Sequence, residues 1–287
     1  MERTIGRHRV LLSRLLPEAE PEEFAVHEGQ FHLVLVGPDL VVCVPRTEAA
    51  AARLPRRAAV LRILAGIDLG FRTPALLAER YADGTDEQPF LVLSRVPGAP
   101  LPAEVLDEPQ VADVVAGQYV GLLAGLAEVG ADEGVRAALP APADRWQRFA
   151  ADVRAELFGL MSAGGRRRAE QELAAVESLP HLTAAVVHGD LGPENVLWES
   201  INGLPRLSGV VDWDEVGLGD PAEDLAAIGA GYGVSLLRRV LALGGWADQE
   251  TTARIAAIAG TFALQQAIAA YRDGDEEELA DGLALYR

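Results

Sequence analysis

The sequence predicts an α+β fold with two lobes, a small antiparallel β-sheet lobe followed by a mostly helical lobe. Short β-rich runs separated by glycine and proline turns fill the region before residue 97. From residue 103 onward, long Ala- and Leu-rich stretches with helical spacing dominate. The proline- and glycine-containing stretch 97–100 lies between them, so the predicted domains are 1–97 and 98–287.

The first lobe is predicted to contain two helices and five strands. Residues 4–16 place apolar side chains at helical spacing and stop before Pro17, which indicates an amphipathic helix. Gly29 and the Gly-Pro-Asp stretch 37–39 separate the first three β-rich runs, as in an antiparallel meander. The predicted strands are 24–27, 31–36, 40–44, 75–81 and 89–96, and an inserted helix is predicted at 47–65.

The second lobe is predicted to be a set of helices around a short strand-and-loop region. Breaks at Gly130, Pro140, Pro142 and the Gly-Gly pair 164–165 divide its first part. The predicted helices are 108–129, 144–161, 167–178, 221–231, 234–243, 249–270 and 276–286.

Composition bounds the function. A net charge of −18 argues against a nucleic-acid binder, which normally presents a basic face. The single cysteine, Cys43, allows no intrachain disulfide and suits an intracellular protein. The apolar runs near the N-terminus are too short for a signal peptide or a membrane span. We therefore expect a cytoplasmic protein that does not use a membrane or nucleic acid as a partner.

Two polar loops carry the candidate chemistry. His188, Asp190 and Asn195 lie between two apolar runs, and Asp212 follows a β-rich trio about twenty residues later. Asp190 is suited to accept a proton from a hydroxyl group. Asn195 and Asp212 offer the amide and carboxylate oxygens that suit Mg²⁺, which shares its ligands with phosphate groups. The spacing of these residues is the one that phosphoryl transfer uses in the kinase class.

The motifs H-G-D-L-G-P-E-N-V-L-W at 188–198 and G-V-V-D-W-D-E-V-G-L-G-D-P-A-E-D-L-A at 209–226 resemble the aminoglycoside phosphotransferase family. Within that family, the macrolide-type and related antibiotic kinases resemble the sequence most. The resemblance implies a protein-kinase-like fold. It also implies that Asp190 is the catalytic base and that Asn195 and Asp212 are the metal ligands. His188, Asp220 and Asp224 are implied to support the site, and Asp214 and Glu215 are predicted substrate contacts.

The nucleotide site is predicted in the first lobe. Gly29, Gln30 and Phe31 lie between two strands, where a glycine lets the backbone approach phosphate groups. The run 90–96 resembles the family's hinge, in which backbone groups, here those of Ser94 and Val96, pair with the purine. Backbone recognition leaves ATP and GTP equally open as donors.

One position departs from the family pattern. The sequence contains no lysine, so all 25 basic residues are arginines. The strand position that carries a cation in the family is Cys43 here. Three explanations remain: a shifted register that makes Arg46 the functional cation, a cation moved to the following helix at Arg57, or a pseudokinase. We favour Arg57, because Asp190, Asn195 and Asp212 are all kept, which is not expected of a protein that has lost its activity. A guanidinium at this position can hold phosphate oxygens in a bidentate manner.

The predicted function is an antibiotic O-phosphotransferase that moves the γ-phosphate of ATP or GTP to a hydroxyl of a macrolide, aminoglycoside or nucleoside antibiotic, with Mg²⁺, and confers resistance. The alternatives are a metabolite kinase of the same fold and a nucleotide-binding pseudokinase. The acidic balance favours an amine-bearing acceptor, while a neutral glycoside stays open and the charge could serve solubility alone. Neither the acceptor, its hydroxyl nor the oligomeric state is encoded in a recognisable motif.

Overall fold

The computed structural model describes residues 20–28, 32–81 and 88–287. It divides into two compact units. The first contains residues up to Gly98 together with Ser208–Asp214, and the second contains Ala99–Leu207 and Glu215–Arg287. The predicted helix at 4–16 and the predicted nucleotide loop of Gly29, Gln30 and Phe31 lie outside the described residues.

The first unit is built on an antiparallel sheet with the strand order β1-β2-β3-β5-β4. Its elements are β1 Ala25–Glu28, β2 His32–Val36, β3 Leu40–Pro45, α1 Glu48–Ala65, β4 Leu76–Arg80 and β5 Phe90–Ser94. The predicted α+β class, with a small antiparallel sheet and one inserted helix, is confirmed. The central strand β3 carries Cys43, whose neighbours across the sheet are Val34 and Leu91.

Branched apolar side chains favour strands in these runs, and burial alternates along β2. In β2, Leu33 and Leu35 point into the core, where they pack with Val42, Val44 and Val92. Helix α1 begins after Thr47, whose hydroxyl accepts a hydrogen bond from the Ala50 amide at 3.1 Å.

A distant segment, Ser208–Asp214, belongs to the first unit. Its backbone pairs with Arg72: the Arg72 amide donates to the Ser208 carbonyl at 3.1 Å, and the Val210 amide donates to the Arg72 carbonyl at 2.9 Å. A Cβ at Gly209 would lie 2.3 Å from the Arg72 carbonyl oxygen, so only glycine permits this approach. Trp213 stacks on Phe71 with ring centroids 6.3 Å apart. This assignment differs from the predicted division, which kept the whole of 98–287 together.

The second unit is mostly helical, as predicted. Its helices are α2 Pro109–Val129, α3 Glu133–Ala138, α4 Arg145–Glu156, α5 Ala163–Glu177, α6 Ala222–Gly244, α7 Gln249–Ala259, α8 Phe262–Asp273 and α9 Glu276–Gly282. Its strands are β6 Ala99–Pro100, β7 Ala185–Val187, β8 Val196–Ile201, β9 Leu204–Val210 and β10 Gly217–Gly219, of which the last residues of β9 belong to the first unit. Strands β7 and β10 pair antiparallel, and β6, β8 and β9 form a separate sheet.

Helix breaks separate the elements of the C-terminal region. Gly233 has a left-handed φ of 84° and interrupts α6 where the sequence predicts a break between two helices. The single helix predicted at 249–270 is instead two helices, because Gly260 caps α7 before α8 begins. A buried core formed by α4, α5, α8 and α9 includes Val153, Leu173 and Leu264.

Among the described residues, the stretches Pro109–Val129, Ala222–Gly244 and Gln249–Asp273 are long and apolar enough to cross a membrane by length and composition. The second stretch contains the break at Gly233, and the third contains the junction of α7 and α8. Helices that pack against one another in a core carry the same apolar composition.

Candidate active site

The loop after β7 carries the predicted catalytic base. Strand β7 is fully buried, and the chain leaves it at His188, whose side chain is also buried. The Asp190 amide donates to Nδ1 of His188 at 3.2 Å. The buried ring therefore fixes the backbone that presents the exposed Asp190.

Asp224, in the first turn of α6, holds the same loop by two hydrogen bonds. Its Oδ2 accepts a hydrogen bond from the His188 amide at 2.9 Å, and its Oδ1 accepts one from the Gly189 amide at 3.0 Å. Burial raises the pKa of Asp224, and the neighbouring His188 and the two amides oppose that rise. One buried carboxylate thus holds two consecutive amides immediately before Asp190.

Gly189 is required by the path of this loop. Its φ is +84°, a left-handed conformation that side chains disfavour. A Cβ at this position would also lie 2.8 Å from the carbonyl oxygen of Glu215. The motif H-G-D therefore contains a glycine for two independent reasons.

Asn195 is buried at the end of a short 3₁₀ turn, Pro193–Asn195. Its Nδ2 donates to the Asp190 carbonyl at 2.9 Å and to Oδ2 of Asp190 at 3.1 Å. These bonds orient the Asp190 carboxylate. They also leave the amide oxygen of Asn195 as the atom suited to bind a cation.

Asp220 connects two helices near the site. Its Oδ1 accepts a hydrogen bond from the Ala222 amide at 3.0 Å, at the start of α6. Its Oδ2 lies 2.8 Å from Nε of Arg254 on α7. Asp220 therefore contributes to the packing of α6 and α7, and it does not line the cavity beside Asp190.

Asp190 lines a cavity of about 560 Å³ within the second unit. That size suits a small-molecule ligand. Its lining includes the acidic residues Asp190, Glu194 and Glu223 and the aromatic residues Trp146 and Phe262. Arg145, Gln265 and Gln266 also line it.

An ion pair joins Glu223 of α6 to Arg145, the first residue of α4. The Arg145 guanidinium also lies over the Trp146 ring, 5.1 Å from its centroid. Burial raises the pKa of Glu223 to about 6 in spite of Arg145. No role was predicted from the sequence for Arg145, Trp146 or Glu223. Only Glu223 offered a signal, because it lies within the second motif.

The first unit contains the other predicted metal ligand, Asp212. It adopts a left-handed φ of 62°, a conformation that few residues other than glycine adopt. Its side chain is about half exposed, and its Oδ1 lies 3.4 Å from Nη2 of Arg57 on α1. Nε of Arg57 lies 3.0 Å from Oδ1 of Asp214. Arg57, one of the two candidate cations, is therefore paired with both acids of the D-W-D sequence.

The surroundings of Arg57 are mostly buried. Cys43 is 3% exposed, and burial raises the pKa of its thiol, which the charge of Arg57 opposes. Burial and the charge of Arg57 lower the pKa of His32 to about 4. Cys43 and His32 are thus uncharged neighbours of Arg57 at neutral pH, and the charge of Arg53 also acts on His32.

The remaining predicted nucleotide contacts have different surroundings. Arg46 is exposed just after β3. Ser94 is engaged with Ala75, because its amide donates to the Ala75 carbonyl and its hydroxyl accepts from the Ala75 amide, both at 2.8 Å. Val96 is buried next to Gly209. The amide of Ser94 is therefore already used within the first unit.

The two predicted substrate contacts lie outside the cavity of Asp190. Asp214 pairs with Arg57 in the first unit, and Glu215 is exposed next to Gly189 in the second. Neither lines the cavity described above. Glu194 and Glu223 are the acidic residues beside Asp190 there.

The predicted metal ligands are of the type that suits Mg²⁺ better than a transition metal. Asn195 of the second unit and Asp212 of the first each offer an oxygen atom, and Mg²⁺ is commonly held by one or two protein groups together with substrate phosphates. Within the ranges that the structure describes, no three His, Cys, Asp or Glu side chains form a group that could hold a metal ion. A closed zinc-type site is therefore absent from that part of the chain.

The chain has a small antiparallel sheet unit and a helical unit, and one loop presents an aspartate and an asparagine five residues apart. These features are those of a kinase-type phosphotransferase. Residues 17–258 match the model of a family described as the phosphotransferase enzyme family, and the chain belongs to that family. The predicted family and the predicted enzyme class are both confirmed.

Relatives agree with this assignment. The chain is 70% identical over 286 residues to viomycin phosphotransferase from Streptomyces vinaceus, and the match covers 99% of this chain and 100% of the relative. The GDP and kanamycin complex of APH(2")-IIia has a TM-score of 0.81 at 18% identity, with coverage of 97% and 96%. Macrolide 2'-phosphotransferase type I has a TM-score of 0.73 at 24% identity, with coverage of 98% and 96%. The prediction of an antibiotic phosphotransferase is confirmed at the level of this class.

Proposed function

We propose that the chain transfers the γ-phosphate of ATP or GTP to a hydroxyl of viomycin or a closely related antibiotic and thereby inactivates it. The similarity to viomycin phosphotransferase supports this acceptor, because it extends over 99% of this chain and 100% of that protein. Viomycin thus joins the macrolide, aminoglycoside and nucleoside antibiotics as a candidate acceptor. Solved structures of the same fold include complexes with GDP and kanamycin, with ADP, and with streptomycin and ATP.

The observation that carries the proposal is the position of Asp190. It lies at the edge of a cavity of suitable size, and Asn195 orients its carboxylate. Asp190 orients the acceptor hydroxyl and takes its proton as the hydroxyl oxygen attacks the γ-phosphorus. The bond from that phosphorus to the β,γ-bridging oxygen breaks, and a nucleoside diphosphate leaves. Catalysis then depends on positioning and electrostatics.

Mg²⁺ is the proposed cofactor, and Asn195 and Asp212 are its proposed ligands. When bound, Mg²⁺ neutralises the charge that develops on the phosphate oxygens. The buried His188 and Asp224 keep the Asp190 loop in place for this chemistry.

Arg57 is the proposed replacement for the missing lysine. Its guanidinium contacts Asp212 and Asp214, whereas Arg46 is exposed after β3. A planar guanidinium can pair with phosphate oxygens as it does with these carboxylates. A cation beside Asp212 weakens the pseudokinase alternative, whose main support was the uncharged Cys43.

The acceptor is proposed to be a cation. Three carboxylates, from Asp190, Glu194 and Glu223, line the cavity beside one arginine. A concave acidic surface concentrates positively charged ligands. We also propose a cytoplasmic location, where the nucleotide donors are available.

The test is product formation. The protein is incubated with Mg²⁺, with ATP or GTP, and with viomycin, kanamycin, streptomycin and a macrolide in separate reactions. Mass spectrometry is used to detect the mass of one added phosphate. Asp190→Asn should lower turnover by about 100- to 10,000-fold at an unchanged melting temperature. Asp248→Asn, at an exposed helix N-cap of the same unit, is the matched control.

The outcomes separate the alternatives. Phosphorylated viomycin that is absent with Asp190→Asn supports the proposal. Turnover of a metabolite alcohol but of none of the antibiotics would favour a metabolite kinase. Nucleotide binding without any turnover would favour a pseudokinase.

A further inference from the structure

We propose that Glu223 binds an amino or guanidino group of the acceptor, and that Arg145 occupies this carboxylate until the acceptor displaces it. The inference rests on the proposed function, because it names a part of the acceptor and the residue that recognises it. It concerns binding and selectivity, and Asp190 keeps the proposed role in catalysis.

The first observation is the burial of Glu223 in the wall of the cavity that Asp190 also lines. Its side chain is 9% exposed, and it lies in the first turn of α6. The carboxylates of Asp220 and Asp224 lie close enough to raise its pKa further, while Arg145 lowers it. A buried carboxylate among other carboxylates needs a cationic partner to stay charged.

The second observation is the nature of the present partner. Arg145 is the first residue of α4, and its side chain is about one-third exposed. Its guanidinium already lies over the ring of Trp146. When Arg145 leaves Glu223, the indole and water remain available to it, which lowers the cost of the exchange.

Another ion pair of the same unit shows the contrast. Arg254 is 14% exposed, contacts both Asp220 and Glu250, and donates to the hydroxyl of Thr251. That arginine is fixed between two helices by several partners and does not line the cavity. The more exposed Arg145 can leave its carboxylate partner for a ligand, whereas the more buried Arg254 stays paired with Asp220.

The exchange explains how the cavity selects its ligand. A cationic group that replaces Arg145 leaves Glu223 paired, so little electrostatic energy is lost. A neutral group at the same place leaves the carboxylate buried without its cation, which is unfavourable. Glu223 therefore favours acceptors with amino or guanidino groups over neutral ones of similar size.

The experiment measures acceptor binding without turnover. Viomycin, kanamycin and streptomycin, which carry amino or guanidino groups, and uridine, which carries neither, are titrated by calorimetry against the full chain. Glu223→Gln keeps the shape and removes the charge, and Arg145→Gln removes the internal competitor. Glu177→Gln is the matched control. It breaks the ion pair of Glu177 with Arg154, which lies on α4 as Arg145 does, and neither Glu177 nor Arg154 lines the cavity.

The expected pattern is asymmetric. Glu223→Gln should weaken binding of at least one cationic acceptor by about 30- to 100-fold. Arg145→Gln should leave that affinity unchanged or tighten it up to about tenfold. Glu177→Gln should change it less than about twofold. ADP affinity and the melting temperature establish that each variant is folded.

Four results would overturn the inference. They are an unchanged affinity in Glu223→Gln, equal weakening in both cavity variants, uridine binding as tight as that of the cations, and no binding of any cationic acceptor. If Glu223→Gln does not fold, Arg145→Gln provides the test. Weaker binding of the cationic acceptors by Arg145→Gln would show that Arg145 does not compete with them for Glu223, and it would overturn the inference. Turnover tests the proposed function separately: binding with the expected pattern but without phosphorylation would refute the kinase reaction and leave this inference standing.

Discussion

Replacing Asp224 with asparagine tests how the catalytic loop is held. The two carboxylate oxygens each accept one backbone amide, from His188 at 2.9 Å and from Gly189 at 3.0 Å. Asparagine has one acceptor oxygen, so its amide nitrogen would face one of those two donors. The loop must then shift or leave a buried amide without a partner.

The size of the effect follows from these two bonds. One hydrogen bond to a charged group, about 1.5–3 kcal/mol, is lost, and the other becomes a neutral bond of about 0.5–1.5 kcal/mol. Removing a carboxylate whose pKa is raised by burial offsets part of this loss. We expect a net destabilisation of about 2–3 kcal/mol, which is about 4–12 °C in melting temperature for a domain of about 150–250 residues.

The assay combines calorimetry of unfolding with steady-state kinetics. Because a misplaced catalytic group costs about 100-fold, kcat should fall by about that factor for Asp224→Asn. Asp248→Asn serves as the control, since Asp248 accepts the Thr251 amide at an exposed N-cap where asparagine is an equally good cap. If Asp224→Asn matched this control in both melting temperature and kcat, the carboxylate would not be what holds the loop.

Two further predictions concern charge. Arg57→Ala should raise the nucleotide KM by about 30- to 100-fold, through loss of about 2–3 kcal/mol, whereas Arg46→Ala should change it less than about threefold. The reverse order, measured in the same kinetic assay, would mean that Arg46 is the phosphate-binding cation. Because burial raises the pKa of Glu223 to about 6, the charged form is lost as pH falls. The KM of a cationic acceptor should therefore rise about tenfold between pH 7 and pH 5, and a flat Glu223→Gln profile is the control; a wild-type profile that is equally flat would contradict the assignment.

Much of the fold could be predicted because its signals are local. A short β-rich run identifies β2, and glycine and proline mark the turns around it. The positions of His188, Asp190 and Asn195 follow in the same way, since one short loop between two strands keeps them together. The hydrogen bonds from the Asp190 amide to His188 and from Asn195 to Asp190 join residues of this same loop.

The parts that escaped prediction are made by contacts distant in sequence. Segment 208–214 joins the first unit through Arg72, which lies more than 130 residues earlier. The junction between α7 and α8 depends on a single glycine, Gly260, whose capping role a helical spacing does not reveal. The cavity brings together α4, the Asp190 loop, α6, α7 and α8, and no local pattern specifies that these five elements meet.

Arg57 and Glu223 illustrate two ways in which chemistry can be inferred beyond a motif. Arg57 was favoured over Arg46 and over a pseudokinase because the sequence has no lysine and the helix predicted after β3 offers an arginine. Its contact with Asp212 agrees with that reasoning. Glu223 could not be reached in this way, because a glutamate at a helix start is usually an exposed contributor to the helix N-terminus. Its burial in the cavity wall and its ion pair with Arg145 of α4 support a different role, which is visible only in the structure.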